Sequence, residues 1–268
     1  MASRLVQIRE SVFDAAGACA AGAVDLFLPA VCAACGRNLP LDHGLCQRCR
    51  LELLTLVSIA SCPRCGGSLG PNIPPRSDGC GQCHHTLPRF SRVHRLGPYT
   101  GCLRQTIRDL KYRRRLGLRG HLAHLLAQRI KANDDEDSGH APYHVVLPVP
   151  MHWLRRIGRG FDHARAIAKG LARELNLPLG CELIRIRNTP PQVHLPRTRR
   201  LTNVRGAFAV RSPETIAGAR VLLVDDVTTT GATADEATRT LLAAGADRVT
   251  LAVLAKAEPP TAYAHCQA

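Results

Sequence analysis

From about residue 92 onward, apolar runs alternate with stretches whose apolar residues recur at helical spacing. Arg92 to Tyr99 reads as a strand. Gly101 to Tyr112 sets Leu103, Ile107 and Leu110 on one helical face, and Leu118 to Ile130 repeats the pattern. "HVVLPVP" (144–150) is a short apolar run, and the helical "DHARAIAKGLAREL" (162–175) follows. "RVLLVDD" (220–226) and "RVTLAVLAK" (248–256) read as buried strands. Between them "TADEATRTLLAAG" (233–245) is a helix, with Thr233 and Glu236 spaced as a capping box and Gly245 at its stop. Strands alternating with helices predict an α/β fold, a parallel sheet covered on both faces. Ligands of such sheets bind at the carboxyl ends of the strands.

The first third of the chain has another character. Residues 1–31 read as one amphipathic N-terminal helix ending in Leu-Pro. Asp14 and Asp25 interrupt its Ala-rich stretch, which argues against a signal peptide, and its uncharged run is too short to span a bilayer. No membrane span and a cytoplasmic location are therefore expected. Residues 32–88 are rich in Cys, Gly and Pro with little periodicity, so this segment builds little core and needs a staple. The α/β part is expected over residues 92–258, with "NDDEDSGHAP" (133–142) as an acidic connector.

The cysteines supply the staple. Eight of twelve fall in four C-x-x-C pairs: Cys32 and Cys35, Cys46 and Cys49, Cys62 and Cys65, Cys80 and Cys83. In a reducing compartment such pairs point to metal rather than disulfides. Two pairs make a tetrahedral thiolate site for structural Zn2+, with no position left for water. Spacing leaves the pairing open: sequential sharing gives two ribbons, interleaved sharing, first pair with third and second with fourth, gives a cross-braced module, and a single occupied site is the third alternative. His84 and His85 adjoin Cys83 as substitute ligands or bystanders.

Charge and the opening of one helix carry the chemistry. Lys and Arg outnumber Asp and Glu by 36 to 21, a surplus suited to polyanionic partners. Aromatic residues are 4% of the chain, so base-stacking platforms are few. Arg104, Arg108, Lys111, Arg113, Arg114, Arg115 and Arg119 make a dense basic tract; Lys111 and Arg113 to Arg115 are candidates for a nucleic-acid backbone. Against this background "VLLVDDVTTTGAT" (221–233) sets Asp225 and Asp226 before Thr228, Thr229, Thr230, Gly231, Ala232 and Thr233. Hydroxyls and N–H groups opening onto a helix N-terminus suit a phosphate, and the acids suit vicinal sugar hydroxyls. Together they describe a ribose 5-phosphate cradle.

"VLLVDDVTTTGAT" resembles the phosphoribosyl diphosphate (PRPP) motif of type I phosphoribosyltransferases. With the four C-x-x-C pairs, "IRDLKY" (107–112), "LPVPMHWLRRIGRGFDHA" (147–164) and "NTPPQVHLPRTRRLTNVRGAF" (188–208), the chain is identified as a member of the ComF family of competence protein F, ComFC and GntX-like proteins. The resemblance implies a type I phosphoribosyltransferase-like sheet with an N-terminal zinc module. It places Asp225 and Asp226 on the ribose hydroxyls and Thr228 to Thr233 on the 5-phosphate. Arg155, Arg156 and Arg159 would line the diphosphate loop, Arg197, Arg199 and Arg200 a mobile flap, and Mg2+ would bridge diphosphate and ribose oxygens. It further implies a link to DNA uptake and natural transformation, with single-stranded DNA and uptake or recombination proteins as partners. The alternative is an active phosphoribosyltransferase with an unidentified acceptor. Many relatives read Asn-Gln where this chain has Asp162-His163.

Overall fold

A computed structural model describes residues 31–39, 44–81, 83, 87–112, 116–134, 143–152, 162–189 and 202–258. In chain order the elements are α1 (Gln47–Ser58), β1 (Arg92–Pro98), α2 (Gly101–Tyr112), α3 (Leu116–Asp134), β2 (Val145–Pro148), α4 (His163–Glu174), β3 (Leu183–Arg185), β4 (Phe208–Val210), β5 (Arg220–Thr228), α5 (Ala232–Ala243) and β6 (Arg248–Lys256). The expected N-terminal helix lies outside the described residues.

β1, β6, β5 and β2 form a parallel sheet in that order. Apolar runs form its centre because both faces are covered. On β5, Leu222 and Val224 pack into the cluster that includes Ile107, Leu126 and Leu171, from α2, α3 and α4. Val221 and Leu223 turn to the opposite cluster, with Ala237 and Leu241 of α5. Fully burying a side chain of this size contributes roughly 1.5–3 kcal/mol. α3 and α4 approach closely at Gly170, where a Cβ would lie 2.6 Å from that of Ala123. β3 and β4 form a short antiparallel pair whose Phe208 joins the α5-side cluster.

Two local expectations change. The Cys-rich segment contains α1, which buries Cys49 and Leu53. Its periodicity is weak because Leu51 and Leu54 point to solvent. The capping box is not formed as predicted. Gly231 takes the cap position of α5 at φ 83°, so Thr233 lies inside the helix. Glu236 accepts from the Gly206 N–H at 2.7 Å and pairs with Arg239 instead. Arg119, the last residue of the dense basic tract, is buried at 6% exposed.

Candidate functional site

The topology itself marks one crevice. α4, which follows β2, packs on one face of the sheet. α5, which follows β5, packs on the other. β2 and β5 are neighbours, so the connections leaving their carboxyl ends diverge there. Such a switch point is where open α/β sheets bind ligands. Asp225 and Asp226 lie at this end of β5, both half-buried. Side chains alternate along a strand. Asp226 accordingly points to the α2–α4 side, lining a small recess with Arg119, His163 and Ile167. Burial lowers the pKa of Arg119, which remains a cation. Sequence reasoning missed Arg119 and His163 as neighbours of Asp226. Asp162, the other departure from the relatives, caps α4 by accepting from the Arg165 N–H at 3.0 Å.

The carboxylates and the threonine loop are fixed by backbone bonds. Asp225 Oδ1 accepts from the Asp226 N–H at 2.8 Å, and Asp226 Oδ1 from the Val227 N–H at 2.6 Å. The Ala257 N–H donates to the Thr228 carbonyl at 2.8 Å, and Lys256 Nζ donates to the Thr229 carbonyl. The Ala232 N–H donates to Thr230 Oγ1 at 3.3 Å. Gly231 supplies the left-handed turn into α5, and its Cα faces the ring of Phe90. Behind the first turn of α5, burial pushes Glu236 up, but Arg239 and the Gly206 N–H outweigh it and hold the carboxyl below its usual value.

Cys32, Cys35, Cys46 and Cys49 converge in one cluster, and Cys62, Cys65, Cys80 and Cys83 in another. The pairing is therefore sequential, giving two ribbons. Zinc–sulfur bonds of about 2.3 Å in a tetrahedron require sulfurs about 3.8 Å apart. The Sγ separations are 3.8 Å for Cys35 and Cys46, 3.8 Å for Cys62 and Cys83, and 3.7 Å for Cys65 and Cys80. N–H groups of Cys46 and Cys80 point at the sulfurs of Cys32 and Cys83, at 3.3 and 3.2 Å. Both tetrads fit structural zinc.

Of the basic tract, Arg104 and Arg108 are exposed on α2. Gln105, Arg108 and Asp109 line a groove of about 440 Å3 against the Cys32–Gly36 turn. Arg113, Arg114 and Arg115, the side chain of Lys111, the diphosphate-loop cations Arg155, Arg156 and Arg159, the flap cations Arg197, Arg199 and Arg200, and His84 and His85 lie outside the described residues.

Residues 162–264 match the phosphoribosyl transferase domain, and residues 23–88 the double zinc ribbon domain. DNA utilization protein YhgH of Salmonella typhi is 33% identical over 227 residues, 84% of this chain and 96% of the relative. Competence protein F of Haemophilus influenzae is 29% identical over 229 residues, with the same coverage of each chain. Among solved structures, the glutamine PRPP amidotransferase of B. subtilis complexed with ADP and GMP is similar at a TM-score of 0.34. It shows 25% identity over 50% of this chain and 25% of its own.

Proposed function

The chain belongs to the ComF family, and from that premise we propose that the crevice at the ends of β2 and β5 binds PRPP with Mg2+. The observation that carries this reading is the placement of Asp225, Asp226 and the Thr228–Thr233 loop at the switch point of the sheet. The loop N–H groups and the α5 dipole take the 5-phosphate. Asp225 and Asp226 accept hydrogen bonds from the ribose hydroxyls. Carboxylate, diphosphate and ribose oxygens are the hard donors that Mg2+ takes, and the ion offsets the diphosphate charge. Arg155, Arg156 and Arg159, which follow β2 in the sequence, and Arg197, Arg199 and Arg200 would supply the remaining cations. In transfer, an acceptor would attack the anomeric carbon as its bond to diphosphate breaks.

Calorimetric titration of PRPP with Mg2+ tests the cradle. Binding heat should be lost in Asp225→Ala/Asp226→Ala; equal heats in both proteins, or none in either, refute it. Diphosphate release across a nucleobase panel then separates turnover from recognition.

A second reading concerns another surface. Exposed Arg37, Arg48, Arg50, Arg104 and Arg108 on the first ribbon, α1 and α2 suit a phosphodiester backbone. The relatives' names, DNA utilization protein and competence protein F, favour DNA as the polyanion, and we take it as single-stranded. Affinity for single-stranded DNA should fall steeply with salt; affinity indifferent to salt removes this reading.

A further inference from the structure

The second ribbon reaches the threonine loop by two routes. One runs through residues 88–91. Arg64, inside the Cys62–Cys65 knuckle, donates to the Pro88 carbonyl at 2.9 Å and to the Ser91 carbonyl at 2.5 Å. The residues between those carbonyls press on the loop. The Phe90 ring lies against Gly231, where a Cβ would meet it at 3.7 Å. The Arg89 N–H and guanidinium both bond Asp235, in the first turn of α5. Pro63 of the same knuckle accepts from the Val93 N–H at 2.7 Å, fixing the knuckle to β1.

The other route runs through the end of β6. Lys256 and Ala257 bond the Thr229 and Thr228 carbonyls. One residue on, Glu258 accepts from the Ser68 N–H of the second ribbon at 2.5 Å and from Arg95 at 2.8 Å, and Arg95 also donates to Ser68 Oγ at 2.8 Å. The loop is thus held from Thr228 to Asp235 by two short segments, and each is anchored on the second zinc knuckle.

We propose that the second zinc ribbon is a positioning element for the phosphate loop, and that Arg64 is the residue through which it acts on Phe90 and Arg89. A folded knuckle keeps the loop N–H groups aimed at one point; a loosened one lets Gly231 and the start of α5 drift, weakening phosphate binding without touching the acids. The ligand's identity rests on the PRPP reading above, but the mechanical coupling does not. Binding energy coupled between sites is commonly worth a factor of five to a hundred and fifty.

Arg64→Ala tests this in the full chain, with Arg76→Ala as the matched control. Arg76 is a ribbon arginine whose side chain pairs with exposed Asp78. PRPP affinity is read by calorimetry, zinc content by atomic emission, and loop order by amide exchange of the 228–235 segment. Arg64→Ala should weaken PRPP binding about tenfold and speed exchange in the loop, at unchanged zinc content. Arg76→Ala should match the wild type in all three. Wild-type PRPP affinity in Arg64→Ala overturns the proposal. If the wild-type protein itself does not bind PRPP, the ligand reading falls and exchange alone decides: faster exchange upholds the coupling, and unchanged exchange sinks it. Should Arg64→Ala fail to fold, Arg64→Lys carries the same readings, because a lysine cannot span both carbonyls as a guanidinium fork does.

Discussion

Glu258→Gln isolates a charge that the fold has buried. Arg95 and Glu258 pair at 2.8 Å with side chains 1% and 4% exposed. Gln keeps the shape and still offers an oxygen to the Ser68 N–H, so the substitution removes little but the anion. It breaks the buried pair by removing the Glu258 carboxylate from the Arg95 guanidinium, which costs about 3–5 kcal/mol. With a slope of about 3 kcal/mol per molar in urea, the unfolding midpoint should drop by about 1–1.7 M. Arg95→Met/Glu258→Gln should cost far less than the two single changes together, because neither charge is then stranded. Glu258 Oε2 has no hydrogen-bond partner among the described residues, so the pair is imperfectly satisfied even when intact. Urea titrations followed by far-UV circular dichroism in zinc-buffered solution give all three values. A loss below about 1 kcal/mol for Glu258→Gln, typical of an exposed pair, or additive single changes, refutes the account.

Gly231→Ala has room for its methyl against Phe90, so its cost is the left-handed backbone alone, about 1–2 kcal/mol, and Gly231→Asn should recover part of it in the same assay. His94 is held down to about 3 by burial and then by Arg92 and Arg129, so the unfolded chain takes up the proton first. Its contribution is whole above pH 6.5 and is lost by about 1.4 kcal/mol per pH unit as pH falls towards 3; the urea midpoint of wild type minus that of His94→Asn, compared at pH 7.5, 6 and 5, should shrink accordingly. Atomic emission should give two zinc ions per chain, and Cys49→Ser should lower the melting temperature more than Cys80→Ser, because Cys49 belongs to the main core. Burial, then Glu52, push the Cys102 thiol up to about 12, so it should resist iodoacetamide at pH 8 until the protein is unfolded.

Where the sequence was legible, one physical signal dominated. α2 matches its expected span at both ends, from Gly101 to Tyr112, because its apolar spacing is strict and a glycine opens it. β6 likewise matches from Arg248 to Lys256. β5 runs two residues past its expected end, since Val227 and Thr228 keep pairing with Ala255 and Lys256 after the apolar run stops. The start of α5 was misread because a capping-box spacing says nothing of a competing glycine at φ 83°. The burial of Arg119 was not legible because a cluster of cations carries no local sign of it; burial is set by α3 packing under β5 and β6. The β3–β4 pair, three residues a side, is too short to leave a period. Cysteine pairing was open because the spacings serve either arrangement; only the convergence of four sulfurs decides it.

The two ribbons share a ligand set but differ in how they are attached, and the difference bears on what each does. Cys32, Cys46, Cys49 and Leu53 of the first sit in the same apolar cluster as Leu96, Leu103 and Leu126. Among the described residues, the second buries only a small cluster of its own, Cys62, Leu69 and Cys83. It is joined to the sheet through Arg64, Ser68, Arg95 and Glu258. Apolar burial is strong but has no direction, so it holds a module on without fixing its orientation. Hydrogen bonds to particular carbonyls and carboxylates fix both distance and angle. The first ribbon carries both kinds: Glu52 of α1 accepts from the Cys102 N–H at 2.8 Å and Arg129 donates to the Val57 carbonyl at 3.2 Å, ties that run to α2 and α3. A module that holds a phosphate loop to within a hydrogen-bond length needs the directional kind, and the second ribbon's polar ties run to the two segments that hold that loop.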